Sequence, residues 1–328
     1  MKGRADHLVL LFHSVDDRKL HSFADLGNIH PFLFEKAIGA LKKDFEVVGL
    51  DEMVDVLSGG FPVKERLLAV TFDDGPKSYA VNALPVMEAL GIPSTCFLIT
   101  DCIDNEAVYW RYFFNYCVLS GFGKKLASIV GKEYGKAVTE EEILRATRKE
   151  FSKEKNACIM ERAMQELVSE DEYREKESDL FLSESDIVSL KNNPLVSLGI
   201  HTRTHPVMSR LSDSEIMDEI SGSVDFYERN IGTGTPMFSV PFGRLYRDYD
   251  DRTVIAAGDC SLKVILSAYG GGNSPGQPLY NVRRIPVTEA MLADGSAAFV
   301  RRLRECAGAV DYAGAERKLD EAVSSYRR

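Results

Sequence analysis

The sequence predicts an α/β protein built on a parallel sheet or barrel. Short apolar runs of strand length alternate with segments whose apolar residues recur at helical spacing. Polar side chains capable of chemistry stand directly after several of those runs, at His13, Asp73, Asp74 and His201. In parallel α/β barrels the strand C-terminal ends carry the active site, so such residues converge although scattered in sequence. With 328 residues, 45% of them apolar, the chain can bury one barrel-sized core, and a single domain is expected over 1–328.

Leu8-Val9-Leu10-Leu11-Phe12 reads as a fully buried strand, followed by a loop through residue 30. Pro31 suits a first helical turn, and Phe34, Ile38 and Leu41 recur at helical spacing behind it. Phe45 to Leu50 reads as a short strand, with Asp51 capping a helix that Gly59-Gly60 ends. Leu67 to Val70 is the next apolar run. A helix over about 79–90 carries Leu84, Met87 and Leu90, and Gly91-Ile92-Pro93 stops it before a strand at Ser94–Ile99.

Residues 108 to 182 break this rhythm and read as a helical insertion without strand signal. Tyr109, Tyr112, Phe113 and Tyr116 form one helical face, and Thr139 with Glu142 has capping-box spacing. Trp110, the single tryptophan, stands beside that stripe as a candidate for stacking on a sugar, although aromatic residues at this spacing more often pack. The alternation then resumes. Helix starts are expected at Ser183 and Ser212, strands at Leu195–Ile200, Met237–Val240, Val264–Ser267 and Val282–Val287, and helices at 289–306 and 313–326.

Two stretches carry the chemistry. In Thr71-Phe72-Asp73-Asp74-Gly75-Pro76 two carboxylates stand where a buried strand breaks into a turn. Two charges there are costly unless something cationic offsets them, and a divalent metal is the simplest partner. Aspartates that merely cap the next helix would account for one of them more easily than for both. In His201-Thr202-Arg203-Thr204-His205-Pro206 two imidazoles four apart follow another buried run. Pro206 disfavours helix at His205, so both are expected in a loop at the strand end.

These stretches, in this order, resemble the two leading motifs of the polysaccharide deacetylases, carbohydrate esterase family 4, whose catalytic unit is the NodB-like deacetylase domain. Phe238-Ser239-Val240-Pro241-Phe242-Gly243 looks like an altered form of the family's third motif, and the resemblance spans roughly residues 7 to 290. It implies a distorted (β/α) barrel carrying the helical insertion. It also implies metal-dependent removal of N-acetyl or other N-acyl groups from an amino-sugar saccharide, releasing acetate and a free amine. Asp74, His201 and His205 match the metal ligands, with zinc the first choice among divalent ions that His and Asp accommodate. Asp73 matches the general base, the backbone N–H of Phe242 the oxyanion donor, and Pro241 is expected to contact substrate.

The sequence departs from the family in two places. Ser239 stands where the family often has an arginine that orients the base; Arg244 or Arg284 could replace it, and each reads equally well as a surface arginine. The family commonly takes its general acid from a late histidine, whereas His205 is the last one here. Of the others, His7 precedes its strand and His21 and His30 lie in a polar loop. His13 alone directly follows a buried strand, and Leu11-Phe12-His13-Ser14-Val15 looks like the opening motif of a deacetylase subgroup with an early acid histidine. His13 is therefore the candidate acid, against the plainer reading of a histidine that only hydrogen-bonds in the barrel mouth.

A net charge of −10 without a basic block argues against nucleic acid or an anionic membrane as partner. Six cysteines without a CxxC pair read as buried free thiols. The apolar run after the basic start is too short for a signal peptide or a membrane span, so a cytoplasmic protein is expected if the chain is complete. Two other functions fit the same residues: a carbohydrate-binding protein of this fold that has lost turnover, and an amidohydrolase acting on a non-sugar amide.

Overall fold

The computed structural model describes residues 7–18, 20–24, 26–59, 66–232, 234–306 and 313–326. The basic start at 1–6, Gly60 of the expected helix stop and the Cys306 side chain lie outside the described residues. Eight strands are present among those described: β1 (Leu8–Phe12), β2 (Glu46–Val47), β3 (Leu67–Phe72), β4 (Ser94–Leu98), β5 (Val196–Ile200), β6 (Phe238–Ser239), β7 (Ile265–Leu266) and β8 (Ile285–Pro286). Their order is β7-β6-β5-β4-β3-β1-β8 with β2 beside β3, and every pairing between them is parallel. The two ends of this path approach each other. Val282, just before β8, donates to Ile265 O and accepts from Ser267 N–H, at 2.9 Å each. The sheet thus curls into a distorted (β/α) barrel.

Alternation along the strands creates two cores. Val9, Ala69, Phe97, Leu266 and Val282 form one cluster with Met53 and Val56 of the helix Leu50–Leu57. Leu10, Phe12, Val70, Phe72 and Leu98 face outward, under Phe34 and Ile38 of the helix Pro31–Asp44 and Met87 of Leu84–Leu90. Phe12 packs edge-on against Phe34, ring centroids 5.3 Å apart, and stacks on Phe72 at 5.4 Å. Each such side chain contributes roughly 1.5–3 kcal/mol when fully buried. Gly199 lets the barrel close tightly: a Cβ there would lie 2.5 Å from the Phe97 ring. Register brings Phe12 level with Phe72, and Leu98 level with Ile200. The strand ends bearing His13, Asp73 and His201 therefore share one rim.

Several elements differ from expectation. Phe45 ends the preceding helix by donating to Leu41 O, which leaves only Glu46–Val47 to pair as β2. Gly49, in extended conformation, is the cap of the next helix, and Asp51 lies inside its first turn. The expected helix over 79–90 opens with a π-helical turn, Tyr79–Ala83, closed by Leu84 N–H on Tyr79 O. Pro85 offers no N–H and crowds the carbonyl four residues back, and the widened turn absorbs it. The helix expected over 289–306 is two, Glu289–Leu292 and Ser296–Cys306, parted near Gly295 at φ +87°. Cys96, Cys102 and Cys117 are buried thiols, whereas Cys158 and Cys260 are only half-buried because they lie toward the outside of helical segments.

Between β4 and β5 the chain forms the helices Trp110–Cys117, Gly123–Tyr134, Ile143–Lys149, Lys153–Glu166, Glu170–Lys176 and Glu184–Leu190. Capping boxes start the helical segments at Thr139, Ser183 and Ser212. Among the described residues no helix is long and apolar enough to cross a membrane.

Candidate active site

On β3 the inward positions Leu67, Ala69 and Thr71 continue at period two to Asp73, whose N–H donates to Phe12 O at 3.0 Å. Its carboxylate meets Arg284, which is 0% exposed. Arg284 Nη1 donates to Asp73 Oδ1 and Nη2 to Oδ2, both at 2.7 Å. Nε donates to Ser267 O at 2.7 Å, and Nη2 also donates to Ser239 Oγ at 2.7 Å. Ser239 Oγ in turn donates to Asp73 Oδ2 at 3.0 Å. The reading of Arg284 as a surface arginine is thus overturned, and Ser239 joins its network. Arg244 goes elsewhere: its backbone N–H donates to Asp248, and its guanidinium lies 4.1 Å from the Tyr269 ring centre. Burial alone would raise the Asp73 carboxyl, but Arg284, then His201, hold it below its ordinary value.

Asp74, at φ +71°, turns its carboxylate toward the same mouth. Its Oδ2 accepts from Tyr112 Oη at 3.2 Å, while Oδ1 is buried with no hydrogen-bond partner. His201 Nε2 lies 3.4 Å from that oxygen and His205 Nε2 3.5 Å. Ligand atoms of all three residues fall within 4.8 Å of one another, and all three are buried. His201 Nδ1 donates to Ser239 O at 2.7 Å. That carbonyl can only accept, so the neutral imidazole carries its proton on Nδ1 and presents a lone pair at Nε2. His205 Nδ1 bonds Tyr109 Oη at 2.9 Å, leaving its Nε2 free as well. Burial pulls His205 down to about 3 despite Asp74, so it is neutral at ordinary pH. For His201 burial also acts downward, but Asp73 and Asp74 outweigh it and raise the group. An orphaned carboxylate oxygen between two free imidazole nitrogens fits a divalent cation, and one carboxylate with two imidazoles leaves coordination positions open.

A cavity of about 230 Å³ opens over these groups, walled by His13, Asp73, Tyr109, Arg111, Arg148 and Phe242 among others. Gly27 supports His13 from behind: a Cβ at Gly27, whose φ is +100°, would come 3.0 Å from His13 Nδ1. The other early histidines are engaged elsewhere. His7 accepts from Leu67 N–H at the far end of β3, His21 bonds Ser120, and His30 caps a helix. Phe242 has φ +59°, and its N–H has no acceptor among the described residues. Pro241 is buried and is not part of the cavity wall. Trp110 is also absent from that wall. It is 6% exposed, and its Nε1 donates to His205 O at 3.1 Å. Its ring sits against Phe114, Phe151 and Phe242, so it supports the histidine loop from beneath and offers no face to a sugar.

Asp74, Thr202, His205 and Phe242 all have positive φ. For a β-branched or bulky residue this conformation is unfavourable, and such strain costs about 1–3 kcal/mol per residue. Its concentration at one rim shows the surrounding packing holding the turns in place. Two participants escape sequence reasoning, and a third, Arg284, is named there only as one of two equal candidates. Tyr109 and Tyr112 belong to an aromatic stripe that reads as packing. Arg284 shares the inner face with Val282 at period two, whereas Arg283 points outward to Glu316. That alternation was the available signal.

The family model for polysaccharide deacetylase matches residues 61–265. No curated protein matches the sequence. Solved structures of similar fold include IcaB from Ammonifex degensii, 17% identical, with a TM-score of 0.59 over 90% of this chain and 96% of that one. The deacetylase PplD of Streptococcus pyogenes, in complex with acetate, is 15% identical with a TM-score of 0.60 over 90% and 97%. A de-N-acetylase from Aggregatibacter actinomycetemcomitans is 13% identical with a TM-score of 0.58 over 90% and 99%. At these identities the likeness is one of fold.

Proposed function

Because the chain belongs to the polysaccharide deacetylase family, hydrolases of N-acetyl amide bonds, we propose that it removes an N-acetyl or other N-acyl group from an amino-sugar-containing saccharide, with Asp74, His201 and His205 holding a divalent metal, zinc by preference. The observation that carries this reading is the orphaned Asp74 Oδ1 between two imidazole Nε2 atoms, beside a second carboxylate that has its own counter-charge. A divalent ion held there supplies Lewis acidity and makes water acidic enough to attack at neutral pH.

Asp73, adjacent to the ligands but forked onto Arg284, takes the proton of the attacking water. As the amide carbon becomes tetrahedral its oxygen gains charge, and the unengaged Phe242 N–H donates to it. The C–N bond breaks readily only once the nitrogen is protonated, and His13, in the wall of the same cavity, donates that proton. Acetate and the free amine then leave. Arg284 favours turnover over a binding protein that has lost it, because it restores the cation that Ser239 cannot supply.

Acetate release from N-acetylglucosamine oligomers tests the reading. Release should stop after exhaustive chelation and return with a divalent metal; release that persists from metal-free protein would remove the metal from the mechanism. His13→Ala should keep metal and fold while losing about 10²–10⁴-fold in turnover, with a changed basic limb of the pH–rate profile. Normal turnover with that limb unmoved would place the acid elsewhere.

A further inference from the structure

Beside the active-site cavity lies a second one of about 340 Å³, and Arg111 and Arg148 form part of the wall of both. Between the two, the Phe242 ring carries both guanidinium groups, with Arg148 Cζ 4.3 Å and Arg111 Cζ 5.5 Å from its centre. Arg145, Lys149, Arg210 and Arg247 complete the basic lining, against the carboxylates of Glu141 and Asp248. Asp248 is already neutralised by the fork of Arg148 Nη2, at 2.8 and 2.7 Å. Lys149, Arg210 and Arg247 are exposed and form no ion pair among the described residues.

Exposed cations alone would be an ordinary solvated face. Arg111 is different. The residue is only half-buried, but its Nη1 is buried with no acceptor, and a buried donor left unsatisfied is costly. The chain as a whole carries a net charge of −10, so a concave wall of cations runs against its average. Internal carboxylates offset only part of this concentration: Arg148 pairs with Asp248 and Arg145 with Glu142, which leaves Arg111, Lys149, Arg210 and Arg247 without an ion pair among the described residues.

We infer that the saccharide acted on carries an anionic substituent, a phosphate or a carboxylate, close to its N-acyl group, and that Arg111, Arg148 and the basic wall beyond them bind it. A planar fork of N–H donors matches an oxyanion with two or three acceptor oxygens, whereas a neutral hydroxyl would leave the charges unmatched. The inference names the substrate class of the deacetylase reading and rests on it for the chemistry next door.

Its test compares kcat/KM and calorimetric binding for a neutral N-acetylglucosamine oligomer, N-acetylglucosamine 1-phosphate and a glucuronate–N-acetylglucosamine disaccharide. At least one anionic sugar should exceed the neutral one about tenfold or more, with the advantage shrinking at high salt. Which of the two leads distinguishes a phosphate from a uronate. Arg111→Met and the exposed Arg210→Gln should each lower the anionic-to-neutral ratio, the second without risk to folding. A wild-type ratio near 1 with the neutral oligomer well turned over would overturn the anion site and leave the deacetylase reading standing. Salt-sensitive binding of the anionic sugars without acetate release would uphold the site and defeat that reading.

Discussion

Asp73→Asn is expected to lower turnover about 10²–10⁴-fold while bound metal stays at the wild-type level. The amide keeps the shape of the carboxylate but cannot accept a proton. The structure adds a second effect. Arg284 is fully buried and its two Nη groups are committed to Asp73, so the substitution strands a buried cation. Breaking such a pair from one side costs about 3–5 kcal/mol, and a lower melting temperature should accompany the lost activity. Arg284→Met in the same background removes the stranded charge and should recover part of the stability but none of the turnover. Asp73 is held below its ordinary 3.8, so its contribution to stability is complete above that pH and disappears as pH falls through the lower folded value. Turnover within tenfold of wild type in Asp73→Asn would make Asp73 structural.

Asp74→Ala, His201→Ala and His205→Ala should each remove bound metal and activity together. Lewis-acid stabilisation is worth several kcal/mol, so losses of roughly 10³-fold or more are expected. Tyr109→Phe, which removes only the partner of His205 Nδ1, should weaken metal binding by about 10–100-fold. Elemental analysis alongside turnover decides the matter: full occupancy in all three ligand variants would sink the assignment.

What could be read from the sequence follows the range of the interactions involved. Asp73, Asp74 and His201 stand next to apolar runs, and a run that ends in a polar residue fixes which end of the barrel that residue occupies. The parallel sheet needed only the alternation of short apolar runs with segments of helical spacing. Arg284 and Asp73 are 211 residues apart, and no local pattern joins them. Only the closure of the barrel through Val282 puts the Arg284 guanidinium inside. Trp110 shows a different limit. Its helical stripe is plain in the sequence, but whether the indole meets a sugar or the His205 carbonyl depends on how the helices between β4 and β5 dock. Gly49 displaced Asp51 as cap because an extended glycine ahead of Leu50 already starts the helix.

The helical segment between β4 and β5 reaches the candidate ligands directly, through Tyr109 on His205, Tyr112 on Asp74 and Trp110 on the His205 carbonyl. Engineers who wish to change specificity often exchange such a segment wholesale while keeping the scaffold. Here that graft would carry away the hydrogen-bond partners of two of the three candidate ligands. A usable chimera must cut behind the first turn of the helix Trp110–Cys117, so that the transplanted part begins after Tyr112.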